Sequence, residues 1–241
     1  MTPQPTFDVE PDAEALAWRV ARVIAARVSG ASGRFSLCLS GGTTPKRAYE
    51  LLGADALCVP LLDWRKVHLF WGDERFVPAD HQDSNFRMAR EALIDHVQIP
   101  ARQVHPIPTS RASPEEAAAL YQATLQGYYG ANKLDPERPL FDLTLLGLGE
   151  DGHIASLFPA TRALEERDAW VTAVVGVKPE PRVSLTYPAL GASREILFVV
   201  SGASKRQILA RVLANDETLP ASRLAARGLI SIFADRAAAE A

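Results

Sequence analysis

The chain has 241 residues, 47% hydrophobic and 23% charged, with a formal net charge of −3. That length suits one α/β domain over residues 1–241 with a sizeable core. The near-neutral balance excludes a protein that gathers nucleic acid or an anionic membrane through its overall field, so an anionic ligand must meet a local basic cluster.

Other classes fall away with the motifs. Cys38 and Cys58 lack CxxC spacing and read as reduced structural thiols, Cys38 inside the apolar run FSLCLS. HExxH and GxSxG are absent, so neither a zinc-peptidase helix nor a serine nucleophile elbow is expected. The expectation is a site without metal or cofactor. The start MTPQPTFDVEPDAE has no basic n-region or apolar h-region, and no apolar run reaches the roughly 18 residues of a membrane span. Both point to a cytoplasmic protein.

In chain order, Pro11, Asp12 and Glu14 open a helix whose apolar residues Leu16, Val20, Val23 and Ile24 follow at helical spacing to about Ser29-Gly30. Strand-like runs then alternate with helical segments. The runs are FSLCLS, VHLFWG, FDLTLLGLG, AWVTAVV, RVSLTY, EILFVVSG and LISIFAD. The helical segments are PKRAYELL, residues 84–96, residues 114–129 and SKRQILARVL. Several strands are apolar on both faces, as in a parallel sheet covered by helices, so a doubly wound, mainly parallel α/β sheet is predicted. Residues 99–114, rich in proline and polar residues, read as a long connection or a small subdomain boundary, and the terminal RAAAEA is expected to fray.

Such sheets bind ligands beyond the carboxyl ends of their strands. After FSLCL come Ser40, Gly41, Gly42, Thr43, Thr44 and Pro45: two glycines for close approach, then a helix start whose amides form an anion site. An ordinary capped turn would read the same way. After VHLF come Asp73, Glu74 and Arg75, three ionisable residues that are costly to hold beside a core. Asp73 suits a hydroxyl or a proton, and Arg75 suits phosphate oxygens; the plain alternative is a salt-bridged loop. Ser84 reads as the N-cap of the next helix.

After FDLTLL come Gly147, Gly149, Glu150, Asp151, Gly152 and His153, at an expected helix start. An imidazole with an ordinary pKa of about 6.5 serves as a base near neutrality, and Asp151 is close enough to orient it. His68, His81, His96 and His105 lack such surroundings. Arg182 opens RVSLTY, and Lys205 sits in the first turn of a helix, where a cation opposes the dipole unless an anion binds there.

The segments LSGGTTPKRAYELL, WGDERFVPADHQDSNFRMAREALI and LLGLGEDGHIASLFP, followed by KPEPRVSLTYPAL, VSGASKRQIL and LPAS, resemble the 6-phosphogluconolactonase family over residues 12–234. The related glucosamine-6-phosphate deaminases carry a glutamate where this chain has Phe158, and an aromatic residue where it has Arg75. Ile154, by contrast, follows the histidine as in the deaminases.

The resemblance implies a Rossmann-like sheet of the sugar-phosphate isomerase/deaminase type and metal-independent hydrolysis of 6-phosphoglucono-1,5-lactone. For that reaction the strand-end residues give His153, Asp151 and Asp73 as the expected catalytic residues, with Gly41, Gly42, Thr43, Arg75, Gly152, Arg182 and Lys205 binding substrate. Amides of the Gly41–Gly42 or Gly149–Gly152 loops would stabilise the oxyanion. The expected partner is the small sugar-phosphate lactone, with no nucleic acid or membrane, on a monomer or homodimer. A deaminase and a non-catalytic sugar-phosphate-binding regulatory domain are the rival readings.

Overall fold

The structure, a computed structural model, describes residues 5–54 and 62–240; Cys58 lies outside the described residues. The first helix, α1 (Ala13–Gly30), starts where its acidic opening predicts, with the Asp12 carboxylate accepting from the Ala15 amide at 2.8 Å. Leu16, Val20, Ile24 and Val28 fill its buried stripe.

A strand that the sequence reading does not anticipate precedes it. β1 (Thr6–Glu10) pairs in parallel with β9 (Leu229–Asp235) at one edge of the main sheet. Thr6, Phe7, Asp8 and Val9 are exposed, so β1 lacks the buried apolar face that marks a strand in sequence.

Next come β2 (Phe35–Leu39), α2 (Thr43–Gly53) and β3 (Val67–Trp71). Later the chain adds β5 (Leu143–Leu146) and β8 (Glu195–Val200) to the same sheet. The strand order is β1-β9-β8-β5-β2-β3, parallel throughout. Every residue of β2, β5 and β8 is buried, which requires both sheet faces to be covered. α1 packs on α2, and α2 on α3 (Asn85–Ala92), as a continuous helical flank.

Two expected strands do not join this sheet. β6 (Val171–Val174) and β7 (Arg182–Leu185) pair antiparallel, and β7 pairs antiparallel with β4 (Asp73–Arg75), forming a separate sheet ordered β4-β7-β6. α4 (Pro114–Tyr129) packs against β6 and β7. The two sheets meet at Gly72, whose amide donates to Leu39 O of the main sheet and whose carbonyl accepts from the Leu185 amide of the small one.

Within the terminal segment expected to fray, residues 236–239 form a helix. α7 (Arg236–Ala239) is capped by the Asp235 carboxylate, which accepts from the Ala238 amide, and Ala238 is buried. Among the described residues no helix is long and apolar enough to cross a membrane.

The proline-rich connection lies along the open side of β3. Val104 bridges Leu69, the His105 amide donates to Leu69 O, and Gln103 Nε2 donates to Val67 O at 2.7 Å. The backbone groups that an edge strand would leave unpaired are met here. His105 stacks on Phe70, and its Nε2 lies 3.1 Å from His68 Nδ1.

Burial, reinforced by the neighbouring His68, pushes the His105 pKa down to about 4. The folded value lies below the ordinary 6.5, so protonation favours the unfolded chain. The stabilisation is complete above about pH 6.5 and is lost as pH falls towards 4. The thermal midpoint is therefore expected to drop between pH 7 and pH 4.5. His105→Phe, which keeps an aromatic ring against Phe70, should shrink that drop. An unchanged slope in calorimetry would assign the titration to other groups.

Candidate active site

From β2 the chain moves outward to β3, and it later returns to the other side of β2 as β5. The loops after β2 and β5 thus diverge and open a crevice at the carboxyl end of the sheet. A cleft of about 330 Å³ lies there, walled by Ser40, Gly41 and Gly42 after β2 and by Gly147, Leu148, Gly149 and His153 after β5. Asp73, Arg75, Asn85, Ala155 and Lys205 complete it. A larger groove of about 610 Å³, lined by residues such as Phe198, Val212, Leu213 and Ile232, carries no charged side chain. The smaller cleft, with its convergent charged groups, is therefore the candidate active site.

Asp73, Glu74 and Arg75 are a strand in themselves, not the end of one, and strand alternation divides their roles. Asp73 and Arg75 face the cleft. Glu74 points the other way, is buried, and seats on the start of α3. Its carboxylate accepts from the Asn85, Phe86 and Arg75 amides at 2.7–2.8 Å and from Ser84 Oγ at 3.1 Å. Burial raises the Glu74 pKa against the pull of those amides. Ser84 is the N-cap of α3, as expected, accepting from the Arg87 amide at 3.1 Å.

The loop after β5 does not begin a helix. It turns on itself: the Gly149 amide donates to His153 O, and the Gly152 amide to Gly149 O. Gly152 has φ +82°, a left-handed conformation that favours glycine, and packs on Leu219 of the LPAS segment. Ala221 of that segment donates its amide to Gly152 O. A Cβ on Gly149 would run into the imidazole of His153. These internal bonds occupy the Gly149 and Gly152 amides, so those two are not free to donate to an oxyanion.

The turn brings Asp151 onto His153. Asp151 Oδ1 lies 2.5 Å from His153 Nδ1 and also accepts the His153 amide at 3.1 Å. Partial burial raises the Asp151 pKa, but the bonds from His153 outweigh it and hold the carboxyl below its usual range. An ionised Asp151 fixes the proton on Nδ1 and leaves Nε2 free to accept one.

The other expected residues divide. Gly41, Gly42, Asp73, Arg75, His153 and Lys205 come together in the cleft. Asp151 and Gly152 act on it only through the His153 turn. Thr43 is the exposed first residue of α2, whose N-terminus has no side-chain cap. Lys205 closes a 3-10 turn, Ala203–Lys205, just ahead of α6 (Arg206–Leu213). Arg182 lies opposite Arg75 in the β4–β7 pairing, outside the cleft wall. Its Nε is buried without a hydrogen-bond partner, and burial together with the nearby Arg75 charge lowers its pKa.

Three contributors lie outside the expected set. Asn85 Nδ2 donates to Asp73 O at 3.0 Å, and its carboxamide fills the space beside Gly41. Ser156 Oγ donates to Asp73 Oδ2 at 2.5 Å while its amide donates to Ser184 Oγ, pinning the histidine loop to the small sheet. The Phe158 ring rests against His153, with centroids 4.4 Å apart. Only Phe158 had a sequence signal, as the residue in place of a deaminase glutamate.

Comparison with known proteins places the chain in a family. The family model described as glucosamine-6-phosphate isomerases/6-phosphogluconolactonase matches residues 11–231. The chain belongs to this family. A 6-phosphogluconolactonase of Nostoc sp. is 43% identical over 240 residues, covering 97% of this chain and 96% of that protein. One of Mycobacterium tuberculosis is 38% identical over 246 residues, covering 97% of each. Among solved structures, 6-phosphogluconolactonase from Trypanosoma cruzi superposes with a TM-score of 0.86 at 29% identity, covering 99% of this chain and 97% of that one. A monomeric glucosamine-6-phosphate deaminase reaches 0.82 at 20% identity over 97% of this chain and 98% of its own, a likeness of fold alone. The doubly wound sheet and the family expected from the motifs are both found.

Proposed function

We propose that this member of the family hydrolyses 6-phosphoglucono-1,5-lactone to 6-phosphogluconate. The observation that carries the reading is the Asp151–His153 pair at 2.5 Å, on the wall of a cleft that also holds Arg75 and Lys205. A base and a phosphate-binding cluster share one crevice.

His153 Nε2 takes a proton from a water molecule, and the water oxygen bonds to the lactone carbonyl carbon as the carbonyl electrons move onto oxygen. The tetrahedral intermediate collapses, breaking the bond to the ring oxygen, and the imidazolium returns the proton to that oxygen. Asp151 holds the ring in one tautomer and balances its transient charge. Asp73, fixed by Ser156 and Asn85, accepts sugar hydroxyls. Arg75 and Lys205 hold the phosphate directly. Arg182 adds its charge from behind Arg75, and two guanidiniums so close together suit a dianion. The uncapped start of α2, with Gly41, Gly42 and Thr43, supplies further amide donors.

The test is release of 6-phosphogluconate from freshly made lactone, followed by a coupled reaction and corrected for spontaneous opening. Turnover well above that background is expected, with no ammonia from glucosamine 6-phosphate. A rate equal to the background would overturn the proposal, whether 6-phosphogluconate binds or not.

A further inference from the structure

The Gly149 and Gly152 amides are spent within their own turn, which removes two of the donors expected near His153. Lys178 is close at hand. It lies on the hairpin between β6 and β7, and its Nζ sits 5.3 Å from the centre of the Phe158 ring. That is the ring packed against His153. Glu180, the nearest acid along the hairpin, is engaged by Arg182. Among the described residues Lys178 forms no ion pair, and the ammonium rests on the π face of Phe158.

Phe158 is buried but Lys178 is exposed to solvent, so an anion in the cleft can draw the ammonium away from the ring. The hairpin itself is lightly tethered at this point. Val175 and Val177 on either side of Gly176 are exposed, and Gly176 holds φ +81°.

We infer that Lys178 is a catalytic residue for the lactone end of the substrate, resting on Phe158 in the free protein and moving to the oxygen that becomes the oxyanion and then the product carboxylate. The inference rests on the proposed lactonase reaction. It gives the positive groups separate roles, with Arg75 and Lys205 on the phosphate and Lys178 at the carbonyl carbon. It also gives Phe158 a function beyond filling space, since its ring parks the ammonium beside the base. The proton transfers are those of the water attack already described; Lys178 takes no part in them and supplies only charge.

The test compares the unmodified chain with Lys178→Met and Lys178→Arg. Lys178→Met should lower kcat by roughly 10-fold or more with KM changed little, as expected for a donor used mainly in the transition state. Lys178→Arg should recover much of the loss. Inhibition by 6-phosphogluconate, which carries the new carboxylate, should weaken in Lys178→Met. Inhibition by glucose 6-phosphate, which has the phosphate but no carboxylate, should not.

Unchanged kcat together with unchanged 6-phosphogluconate inhibition would overturn the inference. Equal weakening of both inhibitors would also overturn it, because it would place Lys178 on the phosphate. If the unmodified chain fails to hydrolyse the lactone, the lactonase reading itself falls. Calorimetric binding of the same two ligands still distinguishes the carboxylate contact in that case.

Discussion

His153→Ala is expected to lower kcat by about 10²–10⁴ while the thermal midpoint stays close to that of the unmodified chain. The large kinetic effect follows from the geometry. His153 places its Nδ1 on Asp151 and its ring on Phe158, which leaves Nε2 as the atom free to take a proton. The small structural effect follows from the turn, which is closed by backbone bonds from Gly149 and Gly152 that do not involve the imidazole. Asp151→Asn should share much of the kinetic loss, because an amide no longer dictates the tautomer. Steady-state kinetics with melting curves on the same samples would decide. Near-normal turnover in His153→Ala would remove the base assignment, and a collapsed midpoint would show that the ring is structural.

Arg75→Met should act on the other side of the rate law, raising KM by about 10-fold or more with a smaller change in kcat. The Arg75 guanidinium donates to Asp83 O at 2.5 Å, which holds it along the rim of the cleft. Its loss removes binding that substrate and transition state enjoy equally. It also relieves Arg182 of a neighbouring like charge. Arg182 should then take over part of the phosphate contact, so Arg75→Met combined with Arg182→Met should exceed the sum of the two single losses. Additive effects would mean that Arg182 supports the strand pair and leaves the phosphate alone.

The parts of the molecule legible in sequence share a physical origin. β2, β5 and β8 are buried on both faces and are short, predominantly apolar runs without the alternation of a half-exposed strand. The glycines and the acid–histidine pair after β5 stood out because such residues are out of place at the end of a core strand. What stayed hidden depends on contacts between distant segments. β4 is Asp-Glu-Arg, with no apolar signature, and is a strand only because β7 lies beside it. β1 is an exposed edge that hydrogen bonds to β9, and nothing on its surface announces burial. A helix after His153 was a reasonable expectation from glycines at a strand end. The chain instead forms a bridge between Ile154 and Leu157, and Ala155 takes a positive φ of 46° that a helix does not allow. Asn85 and Ser156 are ordinary polar residues in sequence, and only the fold brings both to Asp73.

The Ser156 hydroxyl, clasped to Asp73 at 2.5 Å, sets a molecular ruler. The segment carrying the base and the strand carrying Arg75 are fastened side by side, so under the proposed reaction the backbones that bear the two groups keep a fixed separation. Under the proposed reaction, such a gauge measures the number of carbons between a phosphate and a reactive carbonyl. A phosphorylated lactone one carbon shorter would bind by its phosphate and present its carbonyl out of reach, occupying the enzyme without being opened.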